Sequence, residues 1–167
     1  MITTDISTLY KYVNFPKFWG EIDEKSLDIS EIRFQKIIEA FSRLPSKPTK
    51  ILTIGQVAPI VNYLVHKDGI NSIYGVNFIE YFSSTFKEEG YPLKTPKYVV
   101  IFNVGYEKAV NLSFSKQILL GLVQTCVDNN SHVIIQSNLE LPKLRDSYGI
   151  DFQNIVRVPE RTDEKIF

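Results

Sequence analysis

With 19 Lys and Arg against 19 Asp and Glu, this 167-residue chain carries no net charge, which excludes a generally basic DNA-coating protein and a strongly acidic DNA mimic while leaving room for a local basic face. Its length fits one domain, and 44% hydrophobic against 23% charged residues supplies a core that needs no covalent staples. A single cysteine, Cys126, rules out an internal disulfide; with no basic-then-apolar leader and no apolar run near the ~18 residues of a membrane span, the chain reads as cytoplasmic, with no membrane partner.

Residues 1–29 read as an N-terminal arm built around Phe15-Pro16-Lys17-Phe18-Trp19, and 30–167 as an α/β domain. Ser30 can cap a helix that carries Phe34, Ile37, Ile38, Phe41 and Leu44 at helical spacing and stops at Pro45-Ser46-Lys47-Pro48. Lys50 to Ile54 reads as a strand ending at Gly55. Pro59 suits the first turn of the next helix, whose Ile60, Val61, Leu64 and Val65 form one stripe before Gly69.

Ile70 to Tyr74 reads as a second strand, and Val76 to Glu89 as a helix burying Phe78, Ile79, Phe82 and Phe86. Tyr98 to Asn103 is continuously apolar, the pattern of a strand covered on both faces. Ser115 to Asp128 follows as a helix with Ile118, Leu119, Leu122, Val123 and Cys126 on its apolar stripe, Cys126 being a small core hydrophobe rather than a reactive thiol. Val133 to Gln136 is a fourth strand, Leu141 to Tyr148 a short helix, and Ile155 to Val158 a final edge strand. Alternating strands and helices imply a three-layer α/β/α fold with a mainly parallel five-stranded sheet.

Ligands of such sheets bind beyond the carboxyl ends of the strands. A nucleoside triphosphate would need a Gly-rich loop after the first strand, a Lys to neutralise phosphate and a Ser or Thr for magnesium. Here Gly55 stands alone; Ile60 takes the place of the last Gly, Val61 that of the Lys and Asn62 that of the hydroxyl. The third strand ends in Phe102-Asn103, where magnesium-dependent hydrolysis wants a carboxylate. No catalytic residue and no cofactor are expected. His66 and His132 have no Cys or carboxylate cluster beside them, so no metal site is expected either.

Val99 to Gly105 resembles a Walker B strand with its trailing Val-Gly, and Val133-Ile134-Ile135-Gln136-Ser137-Asn138-Leu139 resembles a sensor 1 strand, with Asn138 as the polar sensor residue. Together with the Phe15 to Trp19 lead-in, these segments resemble the AAA+ ATPase domain of bacterial helicase loaders, from about Phe15 to Val158. The Walker A and Walker B chemistry is degenerate, and the end of the chain at Phe167 leaves no room for the helical lid. The resemblance therefore implies a partner class, the DNA replication machinery (helicase, helicase loader or sliding clamp), and not an activity. A phage or mobile-element inhibitor of the host apparatus fits a copy that has lost its chemistry. Side-by-side self-association, as a homo-oligomer, is implied by the resemblance alone.

Two other readings stand beside it. Lys50 to Gly55 followed by Ile73-Tyr74-Gly75-Val76-Asn77 resembles the opening of an S-adenosylmethionine-dependent methyltransferase, with Thr53 and Asn77 in place of the acids that fold wants. Lys94, Lys97, Lys108, Lys116, Lys143, Arg145 and Arg157, if gathered near one rim, would give a DNA-binding accessory module. Phe15, Phe18 and Trp19 either pack the arm on the domain or offer aromatic anchors to a partner.

Overall fold

The computed structural model describes residues 38–54, 57–85, 87, 90–105, 112–137, 139, 141–150, 152 and 154–157. The expected N-terminal arm and the Ser30 helix start lie outside them. A helical stretch at 38–42 leads into β1 (Lys50–Ile54), α1 (Ala58–Asp68), β2 (Ile73–Asn77), α2 (Phe78–Ser84), β3 (Tyr98–Val104), α3 (Leu112–Asp128), β4 (His132–Ser137), α4 (Leu141–Tyr148) and β5 (Asn154–Arg157). All strand pairs are parallel, in the order β2-β3-β4-β1-β5. The chain is thus an α/β protein with a parallel sheet. Parallel neighbours need crossover connections, and the helices supply them. The β1 to β2 crossover passes β4 and β3, and the β4 to β5 crossover passes β1.

Alternation along the strands sends side chains to two cores. Ile51, Tyr98, Val100, Phe102 and Ile134 pack with Phe41 and with Ile60, Val61, Leu64 and Val65 of α1. Leu52, Val99, Ile101, Val133 and Ile135 pack with Phe78, with Leu119, Leu122, Val123 and Cys126 of α3, and with Leu144 and Tyr148 of α4. One sheet face therefore carries α1 and the other carries α2, α3 and α4. This explains the unbroken apolar run of β3: every residue from Tyr98 to Phe102 is buried, and neighbours in sequence serve opposite cores. Full burial of each aliphatic contributes about 1.5–3 kcal/mol, so a charge at Val100 or Ile101 would break the domain. Cys126 is a core residue, and burial pushes its thiol up to about 12.

Several boundaries differ from the sequence reading. β2 begins at Ile73 rather than Ile70, because Gly69 turns the chain at φ 89° and Ile70–Ser72 closes a single 3₁₀ turn. The Ser72 hydroxyl and N–H both return to the Gly69 carbonyl, at 2.6 and 3.2 Å, which holds that turn. α2 spans Phe78–Ser84 rather than residues 76–89. Asn77 is still extended and caps the helix, its Oδ1 accepting the Ile79 N–H at 3.0 Å. Ile79 is exposed, not on the buried face, and Phe86 lies outside the described residues. α3 starts at Leu112, three residues before the expected Ser115. β5 lies at the sheet edge as expected, shifted one residue toward the N-terminus.

Candidate functional site at the carboxyl rim

At the carboxyl ends of the strands the sequence supplies amides and hydroxyls. β3 and β4 pair Ile101 with Ile135 and Val104 with Ser137, so β3 advances three residues while β4 advances two. The extra residue makes a bulge, a device that re-aims a side chain at a sheet rim. Asn103 sits in it with φ 63°, a left-handed conformation that Asn tolerates better than most residues. Its N–H donates to Gln136 Oε1 at 3.1 Å, and its Nδ2 reaches Asn77 Oδ1 at 3.5 Å. That same Asn77 oxygen caps α2. Ser137 Oγ donates to the Val104 carbonyl at 2.6 Å and accepts the Leu139 N–H at 3.0 Å.

The structure thus brings Asn103 together with Asn77 and Gln136. Sequence reasoning missed Gln136 and Ser137 as rim groups; the signal available was a pair of polar residues closing an otherwise apolar strand. Thr53, one residue before the end of β1, is buried and donates to the Ile135 carbonyl at 3.2 Å. These groups hold each other in place. None carries the charge that would hold magnesium or neutralise a phosphate.

The helix behind the rim is closed with hydrocarbon. Ile60 and Val61 are 0% and 2% exposed, packed into the core between α1 and the sheet. Pro59 has no N–H, and those of Ile60 and Val61 turn back to the Val57 carbonyl at 3.0 and 3.1 Å. Val57 supplies no side-chain cap. The first turn of α1 therefore offers little to an anion. Asn62 follows on the same helix. Gly55, Asn138, Lys108, Phe15, Phe18 and Trp19 lie outside the described residues.

Among the described residues the candidate basic positions do not gather at one rim. Lys94 and Lys97 precede β3, at the opposite, amino end of the sheet. Lys143 and Arg145 are exposed on α4, and Arg157 closes β5 at the carboxyl rim. Lys116, exposed on α3, lays its ammonium beside Gly149, 3.5 Å from where a Cβ there would stand. Gly149 ends α4 at φ 67°, so the cation sits at a helix C-terminus, where the dipole favours it.

The amino rim carries a polar network that the sequence reading did not foresee. Tyr98 Oη donates to Asp68 Oδ2 at 2.6 Å, and Lys97 Nζ approaches the same oxygen at 3.3 Å. Burial opposes ionisation of Asp68, yet the bonds from Tyr98 and Lys97 and the Lys97 and Lys67 charges outweigh it and hold the carboxyl below its ordinary value. Burial, then the bond to Asp68, pushes the Tyr98 phenol well up. The Tyr98 ring stacks on His132, with centroids 5.7 Å apart.

Among the described residues no group of His, Cys, Asp or Glu could hold a metal ion, and no helix is long and apolar enough to cross a membrane. Neither protein-family models nor characterised proteins give a match to this chain.

Proposed function

We propose that the chain is a catalytically inactive, helicase-loader-like AAA+ core that acts by binding a protein of the DNA replication machinery. The observation that carries this reading is the strand order. The resemblance requires the sensor 1 strand to lie between the Walker A and Walker B strands, and β4 lies between β1 and β3. Within that frame, Ile60 and Val61 fill the core where phosphate-binding groups would stand, and Asn103 replaces the catalytic carboxylate. A scaffold that keeps the order and lacks the charges is suited to docking on a helicase, a loader or a sliding clamp, as an accessory or as an inhibitor encoded by a phage or mobile element.

The same order speaks against the methyltransferase reading. A doubly wound cofactor fold sets its first two strands side by side, whereas here β4 and β3 separate β1 from β2. Thr53 and Asn77, the positions where that reading wants acids, are engaged with the Ile135 carbonyl and the α2 cap. Among the described residues, Lys94 and Lys97 at the amino rim stand apart from Lys143 and Arg145 on α4, which gives the DNA-binding reading less support.

The test is affinity capture with purified replicative helicase, loader and clamp, alongside an assay for magnesium-dependent release of phosphate from ATP. A saturable complex with one of the three and no phosphate release is the expected result. Hydrolysis of ATP, or absence of all three complexes together with thermal stabilisation by S-adenosylmethionine, overturns the reading.

A further inference from the structure

We propose that His132 and Thr49 form a proton-sensitive latch that ties the connection entering β1 to the first residue of β4. The Thr49 N–H donates to His132 Nδ1 at 3.1 Å, with Thr49 2% and His132 6% exposed. An imidazole nitrogen that accepts a hydrogen bond carries no proton, so this contact selects the neutral ring with its proton on Nε2. Protonation turns Nδ1 into a donor facing another donor, and the bond cannot form.

The surroundings disfavour the protonated ring. On the β3 side stand the stacked Tyr98 ring and Lys97, whose ammonium lies 5.3 Å from that ring's centre. On the α1 side stand Lys67, Asp68 and Tyr63; Lys47 stands two residues before Thr49, and Lys50, the first residue of β1, directly after it. Asp68 is the one anion among these, and it is already bound to Tyr98 and Lys97. Burial, then the Lys97 and Lys67 charges, holds His132 below the ordinary imidazole value.

The sign follows directly. The open state takes up its proton near the ordinary value of about 6.5, and the closed state only at lower pH. The latch is therefore at full strength above that value and weakens as the pH falls through it toward the closed-state value. What opens is local. The Thr49 carbonyl keeps the Val133 N–H at 2.8 Å, and the Phe41 carbonyl keeps Lys67 Nζ at 3.1 Å. The sheet and the helical stretch at 38–42 stay anchored while the Thr49 N–H comes loose from the His132 ring.

Amide exchange and imidazole ¹⁵N shifts, followed by NMR on the full chain from about pH 7.5 down to the pH at which the chain unfolds, test this. After correction for intrinsic exchange, Thr49 protection is expected to fall roughly tenfold as His132 titrates, while Val133 protection holds. In His132→Asn, Oδ1 stands close to the position of Nδ1 and accepts without titrating, so Thr49 protection there stays level with pH. Thr49 protection that ignores the His132 titration, or a His132 midpoint at or above the ordinary value, overturns the latch. The wild-type measurement decides the matter even where the variant does not fold.

Discussion

The backbone N–H of Asn103 donates to the side-chain Oε1 of Gln136, joining the bulge of β3 to the end of β4 at 3.1 Å. The bond depends on Asn103 holding its φ of 63°. Glycine reaches that conformation freely and a β-branched residue does not. Asn103→Gly is expected to fold within about 0.5 kcal/mol of the parent, and Asn103→Val to lose about 1–3 kcal/mol. Urea unfolding of the two variants checks this. Equal stability of both would mean that the bulge is not held in the left-handed conformation.

Counted along the sequence from Gly55, Val61 holds the position of the lysine in a phosphate-binding loop. Because Val61 is 2% exposed and surrounded by Leu64, Phe102 and their neighbours, Val61→Lys places an unpaired ammonium in hydrocarbon. A loss of about 3–5 kcal/mol is expected, without any gain of thermal stabilisation by ATP. Asn103→Asp, at the more open rim, is expected to fold and still to release no phosphate. Stabilisation of Val61→Lys by ATP would show that α1 can make room for phosphate.

Much of this fold was legible because burial on two faces leaves a continuous apolar signature. Tyr98 to Phe102 and Val133 to Ile135 could be read as strands for that reason alone. The start of β2 was not legible: Ile70 is apolar, but the turn made by Gly69 and Ser72 delays the strand. At the carboxyl rim, Asn103 could be singled out by type, whereas its link to Gln136 depends on a bulge that no local pattern marks. The amino-rim network was invisible for a different reason. Asp68 and Tyr98 are 30 residues apart, and Thr49 and His132 are 83 apart. Sheet register sets Thr49 beside His132, and the packing of α1 on the sheet sets Asp68 beside Tyr98; sequence spacing shows neither.

Tyr98→Phe removes the hydroxyl that donates to Asp68 and leaves the ring on His132. A loss of about 1–2 kcal/mol at neutral pH is expected. Asp68 is held below its ordinary value, so the stabilisation it brings is full above about pH 3.9 and is lost as the pH falls through the folded-state value. The difference between parent and variant should therefore be flat near neutrality and shrink in strong acid. His132 is present in both chains, so its own titration is largely common to the two curves. A difference that stays constant down to the acid limit would show that the hydroxyl is not serving a carboxylate.

Ser115 presents the opposite case, a buried group with nothing to bond. It occupies the same stripe of α3 as Leu119, Leu122 and Cys126, is 1% exposed, and its Oγ has no hydrogen-bond partner. An orphaned hydroxyl costs its desolvation, while alanine keeps the shape of the methylene and favours the helix. Ser115→Ala is thus expected to raise stability by about 0.5–1.5 kcal/mol, read as a higher urea midpoint at unchanged slope. Ser115→Val puts one methyl in place of the hydroxyl and adds a second to a filled core, and is expected to lower it. A loss of stability in the alanine variant would mean that the hydroxyl has a partner in solution, and a bound water between α3 and the sheet would be the group to look for.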